Sequence, residues 1–255
     1  MKTPVAALPK RIIREFAKTN ERYRLINEGD RVLLGLSGGK DSLTLAHLLL
    51  HTKRHAPFSF DFLAVTIDYG MGEMLTDLAA HCAEYGIDHH IEKTSIFENA
   101  PSHIRENSSF CSYFSRMRRG ALYGVAERLG YSKLALAHHL DDAAETFFMS
   151  MIYGGKLRSM PPRYKAANRG ITVIRPLIKI REEQLRECAR SNGFPVVGSE
   201  NCPAFKMKVK MPHARAEIKA KLREWESGRA GLFNQLRHSF ESVDAESFAD
   251  DRFIA

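Results

Sequence analysis

The sequence predicts an α/β protein: a parallel sheet with helices on its faces, followed by a helical C-terminal extension. Three observations predict it. Short, nearly continuous apolar runs such as Phe62-Leu63-Ala64-Val65 read as strands buried on both faces. Segments of helical period alternate with these runs, which is the pattern of βα units. The first run ends in Ser37-Gly38-Gly39-Lys40-Asp41-Ser42, and apolar residues then return at helical spacing in Leu43, Leu45, Ala46, Leu48 and Leu49. A strand, a tight glycine turn and a helix start therefore follow one another there.

The elements follow in order. Residues 9–28 form an amphipathic helix, with Ile12, Ile13, Phe16, Tyr23 and Ile26 on one side and Glu28-Gly29-Asp30 closing it. Arg31–Leu36 is the first strand, and the helix after the glycine turn runs to about Lys53. Phe60–Ile67 is the second strand, residues 73–85 a helix and Asp88–Lys93 the third strand. Residues 95–110 lack a period and read as a loop. Ser112–Leu129 is a helix stopped by Gly130, and Lys133–Ala137 is the fourth strand. Asp141–Tyr153 is an apolar helix, and 156–169 is basic and rich in proline and glycine. Ile171–Ile174 is the fifth strand, Arg181–Asn192 a helix, and Ala214–Glu226 and Gly231–Ser239 close the chain as helices. The organisation expected is an N-terminal basic helix at 1–28, a nucleotide-binding domain at 29–198 and a helical extension at 199–255 packed on the same domain.

Bulk properties narrow the function. A chain of 255 residues buries a sizeable core. The formal charge of +8 points to a polyanionic partner, with basic clusters at Lys10–Arg14, Arg116–Arg119, Lys156–Lys165 and Lys206–Lys221. The four cysteines, Cys82, Cys111, Cys188 and Cys202, are too few and too scattered for a secreted disulfide scaffold. No apolar run is long enough to span a membrane, and no leader is read at the N-terminus. A cytoplasmic protein with no membrane partner is expected. Cys82 and Cys188 lie in amphipathic helices and read as core.

Two stretches carry chemistry. In Ser37–Ser42 the glycines uncover backbone N–H groups at a helix start, where the dipole is positive, so the turn is an anion cradle. Ser37 and Ser42 add hydroxyl donors and Lys40 a charge. The nucleotide-loop spacings Gly-x-x-x-x-Gly-Lys and Gly-x-Gly-x-x-Gly are absent. The second stretch is Ala137-His138-His139-Leu140-Asp141-Asp142, between a strand and a helix. Acidic capping explains Asp141 but not the two histidines. In a parallel sheet ligands sit beyond the strand C-termini, which brings the cradle, Ile67 and Ala137–His139 to one edge. Asp41 and Asp142 are the candidate carboxylates for Mg²⁺ on ATP phosphates.

Ser-Gly-Gly-Lys-Asp-Ser resembles the pyrophosphate loop of the PP-loop ATP-pyrophosphatase superfamily. Followed about a hundred residues later by His-His-x-Asp-Asp-x-x-Glu-Thr, it resembles the branch of the tRNA-lysidine synthetases and tRNA 2-thiocytidine synthases. Further stretches are similar to the thiocytidine synthases. Cys111-Ser112-Tyr113-Phe114-Ser115-Arg116-Met117-Arg118-Arg119-Gly120 resembles their Cys-x-x-Cys-Ser-Arg-x-Arg-Arg-Gly. Met151–Lys156 with Met160-Pro161-Pro162, Arg175-Pro176-Leu177, Glu28–Arg31 and Cys202 match in turn, over roughly residues 10–240.

The resemblance implies a Rossmann-like domain that uses ATP and Mg²⁺ to replace the C2 oxygen of a tRNA cytidine with sulfur. It implies nucleotide contacts at Ser37, Gly38, Gly39, Lys40, Asp41, Ser42, Ile67, Ala137, His139 and Asp142, with Mg²⁺ at Asp41 and Asp142. Lys40, Asp41, Cys111 and Cys202 take catalytic roles, tRNA is the partner, and a cysteine desulfurase or sulfide donates sulfur. A homodimer is common in the family. Its three cysteines carry a 4Fe-4S cluster, yet Phe114 stands at the second position. Three readings stay open: a cluster on Cys111, Cys202 and another ligand; a persulfide and resolving pair; or loss of thiolation. A lysidine-type ligase and a non-catalytic nucleotide- or tRNA-binding relative are the alternatives. His103 and His213 read as surface residues, and Arg116, Arg118 and Arg119 as contacts to tRNA phosphate.

Overall fold

The computed structural model describes residues 3–72, 75–100, 110–167, 169–197 and 213–248. In chain order these contain α1 (Lys10–Tyr23), β1 (Arg31–Gly35), α2 (Lys40–His55), β2 (Asp61–Asp68), α3 (Thr76–Tyr85), β3 (His89–Lys93), α4 (Phe110–Leu129), β4 (Lys133–Ala135), α5 (Leu140–Gly154), β5 (Arg163–Lys165), β6 (Thr172–Ile174), α6 (Glu182–Ser191), α7 (His213–Gly228) and α8 (Leu232–Ser239). They divide into two compact units. The first comprises residues 1–139 and 161–212, and the second residues 140–160 and 213–255.

The first unit is built on a six-stranded sheet of order β3-β2-β1-β4-β6-β5. Its centre is parallel, with Leu33 of β1 level with Leu63 of β2 and Leu134 of β4. Alternation along β1 feeds two cores, because successive side chains leave opposite faces. Val32 and Leu34 join one cluster with Ile12 and Phe16 of α1, the apolar face of α2, Cys82 of α3 and Cys188 of α6. Leu33 joins the other, with Val65 and with Leu122, Val125 and Ala126 of α4. Helices thus cover both faces, as an inner parallel sheet requires. Cys82 and Cys188 are core residues as expected, 1% and 0% exposed.

Two expectations need correction. The sheet is not wholly parallel: β5 runs antiparallel to β6, with Tyr164 opposite Val173. This strand sits in the basic, proline-rich stretch, and its burial alternates exposed, half-buried, exposed. Three such residues give no period to read. The first helix also stops at Tyr23, short of residue 28. Arg24 turns left-handed at φ 48°, and the Asn20 side chain brackets the next turn, donating to the Ile26 carbonyl at 3.1 Å and accepting from the Ile26 N–H at 2.8 Å.

The second unit packs α5 against α7 and α8 through Leu140, Ala144, Ile218, Leu222 and Phe233. Within it Glu145, 3% exposed, accepts from Arg215 Nη1 at 2.9 Å. Among the described residues no helix is long and apolar enough to cross a membrane.

Candidate nucleotide-binding site

β1 ends at Gly35 and α2 starts at Lys40, so residues 36–39 must reverse the chain within one turn. Gly38 does this at φ +76°, a conformation glycine adopts without cost. A Cβ there would lie 2.4 Å from Val197 Cγ2, and the Val197 N–H donates to the Gly38 carbonyl at 2.9 Å. The segment after α6 thus clamps the turn from behind.

The serines knit the turn together. Ser42 Oγ donates to the Gly39 carbonyl at 2.9 Å and accepts from the Ser37 N–H at 3.2 Å. The Ser37 and Ser42 hydroxyls lie 3.1 Å apart, and the Gly39 N–H donates to Ser37 Oγ at 3.4 Å. The result is a turn held in shape by its own hydroxyls at the N-terminus of a sixteen-residue helix, the end whose dipole favours an anion.

Lys40 and Asp41 are the charged pair of the turn. Lys40 Nζ lies 3.0 Å from Asp41 Oδ2 and 3.2 Å from Glu182 Oε1 in the first turn of α6. Burial alone would lower the Lys40 pKa, but the two carboxylates outweigh it and hold the pKa above its ordinary value. Lys40 therefore stays charged throughout the physiological range. His139 Nε2 stands 3.9 Å from the same Asp41 oxygen, and the ring is 5% exposed. The other oxygen, Asp41 Oδ1, is buried with no hydrogen-bond partner among the described residues. An orphaned carboxylate oxygen is a donor that suits a hard cation such as Mg²⁺. No group of three or more His, Cys, Asp or Glu able to hold a metal occurs among the described residues. A magnesium ion here would need phosphate oxygens to complete its shell.

Asp41 and the turn border a cavity of about 350 Å³ in the first unit, at the C-terminal ends of β1, β2 and β4, whereas Lys40, His139 and Glu182 stand behind its lining. Ser37, Gly39, Asp41 and Ser42 line one side, with Ile67 and Ala137 on the strand ends, as the sheet topology predicts. The volume falls in the range of small-molecule sites. Asp142 begins the second unit's α5, where Arg215 Nη1 reaches its Oδ1 at 3.5 Å. Cys202 and the side chain of Cys111 lie outside the described residues, as do His103 and the side chain of His213.

Several site residues were not legible as such. Glu182 reads in sequence as an ordinary acidic helix start. Val197 carries no chemical signal at all. Arg118 lines the cavity beside Tyr69, while Arg116 and Arg119 are exposed. His138 also lines the cavity, and Arg175 Nε donates to its Nδ1 at 3.3 Å.

Phe114 occupies the position at which the cluster-binding motif would place a cysteine. Its ring is 6% exposed and packs edge-on against Tyr69 and Tyr113, at 5.8 and 5.2 Å between centroids. Cys82 and Cys188 are sealed in the core on the sheet's other side, and burial pushes the Cys82 thiol up to about 11. With four cysteines in the chain, only Cys111 and Cys202 remain. A three-cysteine iron–sulfur site does not fit this residue set.

Comparison with known proteins agrees with the fold and the turn. A family model described as a PP-loop domain matches residues 8–201. The tRNA-cytidine(32) 2-sulfurtransferase of Geobacter metallireducens is 39% identical over 229 residues, 89% of this chain and 88% of that protein. The protein of the same description from Methylococcus capsulatus is 37% identical over 248 residues, 97% and 84% of the two chains. Among solved structures, the U34-tRNA thiolase NcsA from Methanococcus maripaludis with its 4Fe-4S cluster superposes with a TM-score of 0.72 at 26% identity, over 91% of this chain and 77% of that one.

Proposed function

We propose that this chain, which belongs to the tRNA-cytidine(32) 2-sulfurtransferase family of PP-loop proteins, uses ATP to adenylate the C2 oxygen of a tRNA pyrimidine and replaces that oxygen with sulfur. AMP and pyrophosphate are released. The observation that carries the reading is the glycine turn Ser37–Ser42 at the N-terminus of α2, whose Ser37, Gly39, Asp41 and Ser42 line a cavity at the sheet's C-terminal edge.

The chemistry follows from the residues. The C2 oxygen is a poor leaving group until it is esterified to AMP. Its attack on the α-phosphorus expels pyrophosphate, and negative charge grows on the phosphate oxygens. The positive end of α2 meets that charge in place, and the Lys40 ammonium reaches it by turning from the Asp41 and Glu182 carboxylates. Asp41, with its orphaned Oδ1, would hold Mg²⁺, which when bound supplies positive charge to the departing pyrophosphate, and Asp142 is the second carboxylate that the sequence offers for it.

Phe114 favours a cluster-free sulfur route. A persulfide on Cys111 or Cys202, charged by a cysteine desulfurase or by sulfide and an oxidant, attacks C2 through its outer sulfur. AMP leaves with the C2 oxygen. The other cysteine's thiolate then attacks the inner sulfur, which frees the 2-thio base and leaves a disulfide. A two-electron dithiol reductant restores both thiols. A cytoplasmic location and a homodimer belong to the same reading.

The test uses anaerobically purified protein with ATP, Mg²⁺, bulk tRNA, dithiol and a desulfurase with cysteine. Pyrophosphate release and 2-thiocytidine in the digested tRNA, with no iron in the protein, are expected. No 2-thio nucleoside under any tRNA condition overturns the function. Activity unchanged in Cys111→Ser and Cys202→Ser overturns the persulfide route, as does activity that requires bound iron.

A further inference from the structure

We propose that Arg175 locks His138 as its Nε2–H tautomer, so that His138 serves the nucleotide cavity as a hydrogen-bond donor and not as a base. The acceptor is an oxygen of the phosphate ester formed when the substrate is adenylated, so the inference rests on the function proposed above and deepens it. His138 is the donor and Arg175 a positioning residue.

Arginine stays protonated in proteins and offers only N–H donors. Arg175 Nε points at His138 Nδ1 at 3.3 Å, so Nδ1 must present its lone pair. A neutral imidazole accepting at Nδ1 carries its proton on Nε2. The other tautomer, and the doubly protonated ring, would set one N–H against another.

The arginine has little freedom to turn away. It is 6% exposed. Its Nη1 donates to the Pro161 carbonyl at 2.7 Å, and its guanidinium lies 5.0 Å from the centre of the Tyr164 ring. Its own N–H donates to the Pro162 carbonyl at 2.8 Å, which fixes the backbone just beyond β6. Among the described residues no carboxylate pairs with it, and Arg119 of α4 adds a second positive charge.

This arrangement separates two roles for a histidine at an adenylation site. A general base needs a lone pair facing the substrate. The Nδ1 lone pair of His138 is taken by Arg175 and Nε2 is protonated, which leaves donation. A fixed N–H at the cavity wall stabilises charge on an ester oxygen and takes no proton from the substrate.

The test reads the tautomer directly. The full-length chain is labelled with ¹⁵N-histidine, and long-range ¹H–¹⁵N correlations are recorded at alkaline pH, where ordinary histidines are neutral and mix tautomers. The His138 signals are those lost in His138→Gln. The expected result is one tautomer, with Nδ1 unprotonated and Nε2 protonated, and loss of that single form in Arg175→Met. An Nδ1–H tautomer or an ordinary mixture in the wild-type chain overturns the proposal, whether or not the arginine variant folds. In pyrophosphate release, His138→Leu is expected to lower kcat by about 10- to 100-fold with KM for ATP little changed, while His138→Gln, which keeps an N–H donor, retains most of it. Equal losses in both variants overturn the donor role. Absence of tRNA-dependent pyrophosphate release from the wild-type chain sinks the function reading and leaves the tautomer result standing.

Discussion

Gly38 shows how little slack the turn has. In Gly38→Ala the new methyl meets Val197 Cγ2 at 2.4 Å and the residue keeps φ +76°. A loss of about 1–3 kcal/mol in urea unfolding is expected. Trimming the neighbour in Gly38→Ala/Val197→Gly should recover the clash but not the backbone strain. Lys40 raises a different issue, because it balances Asp41 and Glu182 besides taking the phosphate role proposed for it. Lys40→Ala is expected to lower kcat for pyrophosphate release by about 10²–10³-fold. Phe114 is a packing residue: its ring contacts Tyr69 and Tyr113 in a buried aromatic group. Phe114→Ala should cost about 3–5 kcal/mol in urea unfolding, the range for emptying a buried aromatic site.

At the scale of elements, α2 and α3 meet through a pair of buried histidines. His47 Nε2 and His81 Nε2 are 2.9 Å apart, and His47 stacks on Phe194 at 4.4 Å. Burial, then the neighbouring His81, depresses the His47 pKa to about 3. The unfolded chain takes up that proton near pH 6.5, while the folded chain resists until about 3. Stability from this contact is therefore complete above the unfolded pKa and lost as pH falls through that window, by up to about 1.4 kcal/mol per pH unit. The slope of urea stability against pH should flatten in His47→Phe.

The elements also show what a sequence can reveal. β1, β2 and α2 were legible because each carries a strong period or an unbroken apolar run. β5 was not, since its three residues are ordered by pairing with β6 and not by any pattern of their own. The glycine turn was legible because its parts are contiguous in Ser37–Ser42. Glu182, Val197 and Arg118 reach the same place from α6, the segment after it, and α4. Nothing local to those residues announces that meeting, because it depends on how the helices pack.

At the scale of the molecule, the α/β alternation fixed the fold class and the edge at which ligands gather, and the cavity lies at that edge. The second unit holds its own electrostatic knot, in which Glu145 is 3% exposed and bonded to Arg215. Arg215→Met should cost about 1–3 kcal/mol by leaving that carboxylate short of a donor, with Glu145→Gln/Arg215→Met recovering part of it in chemical unfolding. The same unit is drawn from two distant stretches, with α5 from one and α7 and α8 from the other. During synthesis α5 emerges about sixty residues ahead of α7, an interval of several seconds at roughly 5–20 residues per second. Through that wait the face carrying Leu140 and Ala144 lacks Ile218, Leu222 and Phe233. The pace of translation through the intervening stretch thus sets how long a sticky surface is offered to chaperones. Slow codons there should lower soluble yield without changing a single residue.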